Sequence, residues 1–485
     1  MSGEAARALV EQLKTVVPDG CLVLPSSPRY DAARQVYNRM HDHRPAAILR
    51  TLDETVLRKA LTGAATLGVP LAVRGGGHHI GGFSTVDGGL VIDFSVFRDV
   101  AYDPDTRTAR VRPGARLGDL DARLAAYGRC VPSGTVSDTG ITGLTLGGGI
   151  GWLVAGHGLT CDHLSGARVL LADGRILEVS RDHHPDLFHA LRGGGAGAFG
   201  IILELRFRTL PLPRITAGSV RFPLDRAADV LHRIHGLLEE RTPTSLTLAP
   251  ALVHRDGVPE LSVDLCCHGD ARDTAMETAR LRERIGGDWS DVGEREYPRW
   301  QAHFDSSFLP PMRGYWKSSH STRLAFDPDL MTGALRAAPT ARCSVLVEYF
   351  NTDTLRAHAE GSAYPLRESR MGVLLSARWP DRAEDDTHVR WGRTWTERLR
   401  SGHDSVRAYS NYSDASDSHA GVAGGDRRLG NTLRRLEETY DPDRLFARGH
   451  RAGLTESRGA RTPAEDDRRK RLPSGSLKSS TSAAP

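Results

Sequence analysis

Three consecutive glycines followed by two histidines place the strongest limit on this fold: residues 70–95 run PLAVRGGGHHIGGFSTVDGGLVIDFS. A strand-like run at 71–73 enters Arg74-Gly75-Gly76-Gly77-His78-His79, and a second strand, 90–94, leaves after Asp87-Gly88-Gly89. Successive glycines let backbone N–H groups close on a bulky anion with no side chain in the way. His78 and His79 are the only reactive side chains at the end of the loop. Such a loop suits a phosphate-bearing cofactor with a second function at its far end.

The loop ends a β-α-β unit over residues 46–75. Thr51-Leu52-Asp53-Glu54 forms a capping box for a helix whose apolar face is Leu57, Ala60, Leu61 and Ala64, closed by Gly68 and Pro70. Two more glycine-rich stretches follow, VPSGTVSDTGITGLTLGGGIGWL at 131–153 and a loop at 193–200 between a helix and a strand. The first of these is too dense in small residues to predict helix or strand. From about residue 213 the glycine clusters stop. Strand-like runs (219–222, 245–252, 261–266, 343–350, 371–379) alternate with helices (225–240, 270–285), a pattern expected of an antiparallel sheet backed by helices. The divisions expected are residues 1–212, 213–425, a return at 426–449 to the first unit, and a disordered tail at 450–485 that is rich in Arg, Ser, Gly and Pro.

Composition excludes more than it selects. A net charge of +4 over 485 residues gives no reason to expect nucleic acid or a membrane surface. No run of apolar residues is long enough to span a bilayer, and the start MSGEAARALVEQLKTVV has no signal-like apolar core, so a cytoplasmic location is expected. Six cysteines without CxxC spacing suit reduced thiols better than a zinc site.

The glycine loops are neither of the common nucleotide motifs. A dinucleotide fingerprint leads from strand into helix, whereas the loop at Gly75 leads through coil into another strand. None of the loops carries the Gly-Lys-Ser/Thr of a Walker A loop. RGGGHHIGG followed by DGGLVIDFS instead resembles the flavin-binding core of the vanillyl-alcohol-oxidase superfamily, in its berberine-bridge-enzyme-like branch. TVSDTGITGLTLGGGIGWL, HGLTCDHLSGARVLLADG, DLFHALRGGGAGAFGI, YSNY and YDPDRLF follow in the same order. The resemblance covers about residues 20–447 and implies an α+β fold. A two-part PCMH-type FAD-binding domain would carry an antiparallel-sheet substrate domain, inserted before the C-terminal return.

It further implies that His78 carries FAD through the 8α-methyl group, with His79 at a variable position beside it. Val136 stands where some members have a second, cysteinyl link, so a single link is expected. Arg74, Gly75, Gly76, Gly77, His78 and His79 would form one wall of the cofactor site, and Gly140, Thr142 and Gly143 the other. Thr139, Gly200 and Ile201 would lie along the ribityl chain or ring edge. Ile141 would lie near the face where oxygen reacts. Tyr409 and Asn411 match a Y-x-N motif expected on a strand facing the flavin, with Tyr409 as base. A phenol needs nearby cations to lower its pKa, and Arg313 and Lys317 are the candidates. Glu348 interrupts an apolar strand, either as an edge carboxylate facing water or as a second acid/base in the cavity.

The implied reaction passes a hydride from a small molecule to flavin N5 while a base takes an O–H or N–H proton. Dioxygen would then reoxidise the flavin and form hydrogen peroxide. Bacterial members with one histidyl link act on alcohols, sugars or polyketide-like compounds, which suggests a tailoring step in secondary metabolism. The alternatives are a non-covalent FAD reductase or dehydrogenase of the same fold, and a flavin-fold protein that binds a metabolite without turnover.

Overall fold

The computed structural model describes residues 2–195, 199–401, 408–414, 417 and 427–446. The tail expected at 450–485 lies outside the described residues.

The first layer grows from the β-α-β unit. The helix Glu54–Leu67 starts later than a capping box at Thr51 would place it: Asp53 is the cap, accepting from the N–H groups of Thr55 and Val56. It ends at Gly68, whose φ of 64° lets its N–H reach back to Ala64 and Ala65. The strands on either side of this helix, Ala47–Leu49 and Leu71–Arg74, both pair parallel to Leu90–Asp93, which runs between them. Strand Leu22–Val23 completes this four-stranded sheet. Leu57, Ala60, Leu61 and Ala64 pack on it with Leu49, Leu71 and Ile92.

A five-stranded antiparallel sheet follows, in the order Val100–Asp103, Thr108–Val111, Ile201–Arg208, Leu164–Leu170, Ile176–Ser180. Late in the chain the helix Arg427–Tyr440 adds Leu433 and Leu436 to the core of this sheet, and Phe446 joins the core of the first.

The third layer is a seven-stranded antiparallel sheet. Its order is Gly293–Glu296, Arg214–Pro223, Val258–His268, Leu246–Arg255, Ser344–Tyr349, Met371–Trp379, Arg313–Ser321. Helices Ala227–Glu240, Pro328–Arg336 and Asp385–Arg400 bury Leu231, Met331 and Trp391 in a core that takes alternate residues of the strands, among them Val345, Val347 and Tyr349. Period-2 alternation turns Leu346 and Glu348 to the opposite face. The architecture is α+β, as the sequence led us to expect.

Three local readings are corrected. Residues 141–146, which composition left without an element, form the short helix Ile141–Leu146. Strand Arg313–Ser321, absent from the sequence reading, closes one end of the large sheet. Tyr409 lies on no strand: it precedes a 3-10 turn, Ser410–Tyr412.

Candidate active site

A cavity of about 250 Å³ lies where the large sheet meets the glycine loops. Gly75, Gly76, Gly77, His78 and His79 line it on one side, with Thr139, Gly140 and Gly143 on the other. The two loops touch through backbone alone. A Cβ placed on Gly76 would fall 2.5 Å from the Cα and N of Gly140, and one on Gly140 would meet Gly76 just as closely. Gly77 has a φ of 70°, which a side chain would strain. Nothing lies within 4 Å of a Cβ built on Gly143, so that position is open.

The His78 ring stacks on Tyr37, with centroids 3.8 Å apart, and Tyr37 Oη donates to the Phe308 carbonyl at 2.8 Å. His78 Nε2 is buried without a hydrogen-bond partner. Burial pushes the imidazole pKa down to about 3, so the ring is neutral. His79 is likewise neutral, its pKa lowered by burial to about 4. Its Nδ1 accepts from Gly81 N at 3.0 Å, which leaves Nε2–H to donate to the Ser410 carbonyl at 3.1 Å. His79 thus ties the first glycine loop to the Ser410–Tyr412 turn.

That turn brings Tyr409 and Asn411 together without a strand. Tyr409 Oη accepts from Gly149 N at 2.9 Å and from Asn411 Nδ2 at 2.8 Å. The pairing expected of these two residues holds, but the phenol is not activated: burial raises its pKa, and the nearby Glu348 raises it further. The cations proposed to lower it point elsewhere. Trp316 faces the cavity, so the odd-numbered Arg313 and Lys317 of the same strand face away. Arg313 pairs with Asp385, and Lys317 with Asp414 at 2.9 Å and Asp417 at 2.6 Å.

Among the described residues that line the cavity, Glu348 is the one carboxylate. Its strand runs between Leu246–Arg255 and Met371–Trp379, so it has no water-facing edge, and Glu348 lines the cavity. Tyr412 Oη donates to its Oε1 at 3.1 Å. Desolvation raises the carboxyl pKa to about 7, against the smaller opposing effect of that hydrogen bond. Trp152, Phe304, Phe308, Trp316 and Leu374 add apolar surface to the lining of the cavity.

The pattern of the FAD binding domain family matches residues 45–180. FAD-linked oxidoreductase OXR1 of Pyricularia oryzae is 30% identical over 435 residues, covering 82% of this chain and 82% of that protein. The chain belongs to the FAD-linked oxidoreductases. Its fold agrees with the expected likeness to the berberine-bridge-enzyme-like group: BBE-like 1 of Physcomitrella patens is 20% identical with a TM-score of 0.80, covering 93% of this chain and 100% of that one. An uncharacterized FAD-linked oxidoreductase of Bacillus subtilis, YgaK, is 28% identical over 447 residues, covering 88% of this chain and 95% of that protein. The crystal structure of 6-hydroxy-D-nicotine oxidase from Arthrobacter nicotinovorans is 25% identical with a TM-score of 0.78, covering 90% of this chain and 98% of that one.

The residues of this FAD-linked enzyme fit the cofactor. Side-chain-free backbone at Gly76, Gly77 and Gly140 and open space at Gly143 form one end of the cavity, beside an unpartnered His78 Nε2. Other expected contacts lie outside its lining. The buried Arg74 guanidinium donates to the carbonyls of Ala33, Arg34 and Ser84, which makes it a brace for the loop. The Thr142 hydroxyl turns back to the Pro113 carbonyl at 3.0 Å, and its Cβ packs beside Gly75. Gly200 packs against Leu170 O, and Ile201 pairs with Leu170 inside the sheet. Ile141 is buried in the core of the five-stranded sheet, so it cannot screen the cavity from oxygen. Tyr37, Trp316, Phe304 and Phe308 were missed. Nothing local in the sequence distinguishes a ring that lines a cavity from one that fills a core.

Proposed function

We propose that this enzyme is an oxidase that takes a hydride from a carbon bearing an O–H or N–H group in a small molecule, with Glu348 as the proton acceptor. The observation that carries this reading is Glu348 itself: a cavity carboxyl with a pKa of about 7 is half ionised at neutral pH, where a general base works best. Tyr409 and Asn411 then position rather than deprotonate. Their mutual hydrogen bond and those to Gly149 N and the Leu144 carbonyl hold the turn against the second glycine stretch. Tyr412 orients the Glu348 carboxylate by its hydrogen bond. Apolar rings exclude water from the reacting carbon.

Gly75, Gly76, Gly77, Gly140 and Gly143 would hold FAD, and a single covalent link through His78 accords with Val136, not a cysteine, lining the cavity. Bound FAD supplies the two-electron acceptor, with O2 as the terminal oxidant and hydrogen peroxide as product. The 6-hydroxy-D-nicotine oxidase similar to this chain is named for a small molecule, which supports a small-molecule role.

Acid precipitation and peptide mapping test the attachment, with flavin expected on the peptide containing His78. With any substrate that releases hydrogen peroxide, Glu348→Gln should lower the rate of flavin reduction by roughly 10²–10⁴-fold at unchanged flavin content. The wild-type rate should rise with pH and level off above about 7, as the carboxyl ionises. Flavin in the supernatant would refute the link. A Glu348→Gln variant of normal rate would refute the base.

A further inference from the structure

We infer that Tyr37 is the positioning residue for covalent attachment of the cofactor: its ring sets the plane of the His78 imidazole, and the seven-stranded sheet, through Arg378 and the Phe308 carbonyl, holds Tyr37 in place. The inference rests on the reading of His78 as the point of attachment and goes beyond it in naming what aims the nucleophile.

The short helix Tyr30–Arg34 leads into a bend at Tyr37 and Asn38. Tyr37 is buried there and tied at both ends. Its backbone N–H donates to the Gly77 carbonyl at 2.9 Å, one residue before His78. Its hydroxyl donates to the Phe308 carbonyl at 2.8 Å, and burial raises the phenol pKa to about 12, so the donor is kept at neutral pH. Between these two ties the ring lies on His78, with centroids 3.8 Å apart and a tilt of only 22°. Trp316 meets the same ring edge-on at 6.1 Å and 64°.

The Phe308 carbonyl is not a loose partner. Arg378, on the sheet strand Met371–Trp379, donates to it at 2.8 Å and to the Pro310 carbonyl at 2.8 Å. A carbonyl oxygen has two lone pairs, and Tyr37 and Arg378 each take one. Asn38 ties the same seam a second time. Its amide donates to the carbonyls of Ile80 at 2.7 Å and Gly314 at 2.9 Å, and its oxygen accepts from Gly314 N at 2.9 Å. One tyrosine therefore relates the His78 ring to the large sheet, and that relation exists only where the sheet is docked on the glycine loop.

An imidazole nitrogen bonds through a lone pair in the plane of its ring, so the direction of attack turns with χ2, a broad torsion in histidine. His78 Nε2 has no hydrogen-bond partner to fix that torsion, and the stack restrains it instead. Attachment forms a bond between an imidazole nitrogen and the 8α carbon and breaks one methyl C–H bond. The imidazole N–H proton and the methyl proton leave, and the two electrons of the C–H bond pass by way of the flavin to dioxygen. One histidine, one FAD and one dioxygen give one histidyl-FAD and one hydrogen peroxide.

The test follows attachment itself and needs no substrate. The full chain is purified from a riboflavin-starved host, FAD is added, and acid precipitation at intervals separates linked flavin in the pellet from free flavin in the supernatant. Tyr37→Leu removes the stack and should slow attachment by roughly 10²-fold, the cost of a misplacement on the order of 1 Å. Tyr37→Phe keeps the stack but loses the tie to Phe308, and its rate should fall between those of Tyr37→Leu and the wild type. In both variants the flavin bound before acid treatment should stay at the wild-type level, because the glycine loops that hold it are unchanged. Attachment at the wild-type rate in either variant would overturn the inference. A loss of bound flavin that matches the loss of linked flavin would overturn it too, since Tyr37 would then serve the fold alone. Where Tyr37→Leu fails to fold, Tyr37→Phe, which lacks a single oxygen, decides by the same two readouts. Wild-type protein with all its flavin in the supernatant would instead refute attachment at His78, a result separate from any difference between the variants.

Discussion

Gly76→Ala tests whether the two glycine loops meet as described. The new Cβ would lie 2.5 Å from two backbone atoms of Gly140, and ordinary contact begins near 3.4 Å, so the loops must part by 0.9 Å, the difference between those two distances. Neither side can yield by rotating a side chain. On one side, Gly77 O accepts from Tyr37 N at 2.9 Å and Arg74 O from Phe94 N at 2.8 Å. On the other, Thr139 O accepts from Leu117 N at 2.9 Å and Ile141 N donates to Ala115 O at 3.0 Å. Overpacking of this kind costs about 1–3 kcal/mol. The loss should appear as a lower urea midpoint at unchanged slope, together with reduced flavin content measured as the ratio of visible to protein absorbance. If Gly76→Ala kept both the midpoint and the flavin of the wild type, the loops would not approach each other here, and the account of the cofactor walls would fall with them.

Gly143→Ala should separate folding from cofactor binding: a Cβ meets nothing in the protein, and in the helix Ile141–Leu146 alanine is favoured by about 0.5–1 kcal/mol, so flavin-free protein should be as stable or more so while flavin occupancy drops. Urea melts with and without flavin would read both. Asp305→Ala should remove the carboxylate that accepts from Ser137 N at 2.8 Å and from the Ser137 hydroxyl. That anchor ties the 134–136 wall to the rings of Phe304 and Phe308, and its loss should cost about 1–3 kcal/mol in urea unfolding. Burial raises the Asp121 pKa to about 8. Because the folded value lies above the unfolded one, the native state binds the extra proton, and stability falls as pH rises between the unfolded value near 4 and the folded one near 8. Asp121→Asn carries no charge to desolvate, so thermal melts should show a gain over wild type at pH 8 that shrinks at pH 5.

The glycine half of the site was legible because its constraint is local. Where two backbones cross at Gly76 and Gly140, no other residue fits, and the demand is written at those positions whatever surrounds them. The sheet half was not, because its constraints depend on strand order. The strand Arg313–Ser321 has eight buried residues of nine, but five of them are polar, Lys317 to Ser321, so no apolar alternation marks it in sequence. Without its register, Arg313 and Lys317 stood as candidates for the cavity, although their parity turns them away. Tyr409 and Asn411 were rightly paired for the wrong reason, since the turn joins them through a hydrogen bond that strand geometry would not have required. Glu348 shows where the missing information lies. Its even parity separates it from Val345, Val347 and Tyr349 in any register, but only its strand's place inside the sheet decides between water and cavity. An apolar residue at position 348 would look the same in a core or in a cavity wall. A carboxylate there does not, because desolvating it is costly unless a proton or a cation compensates, and so the one residue that disrupts the strand's pattern is the one to which we assign the proton transfer.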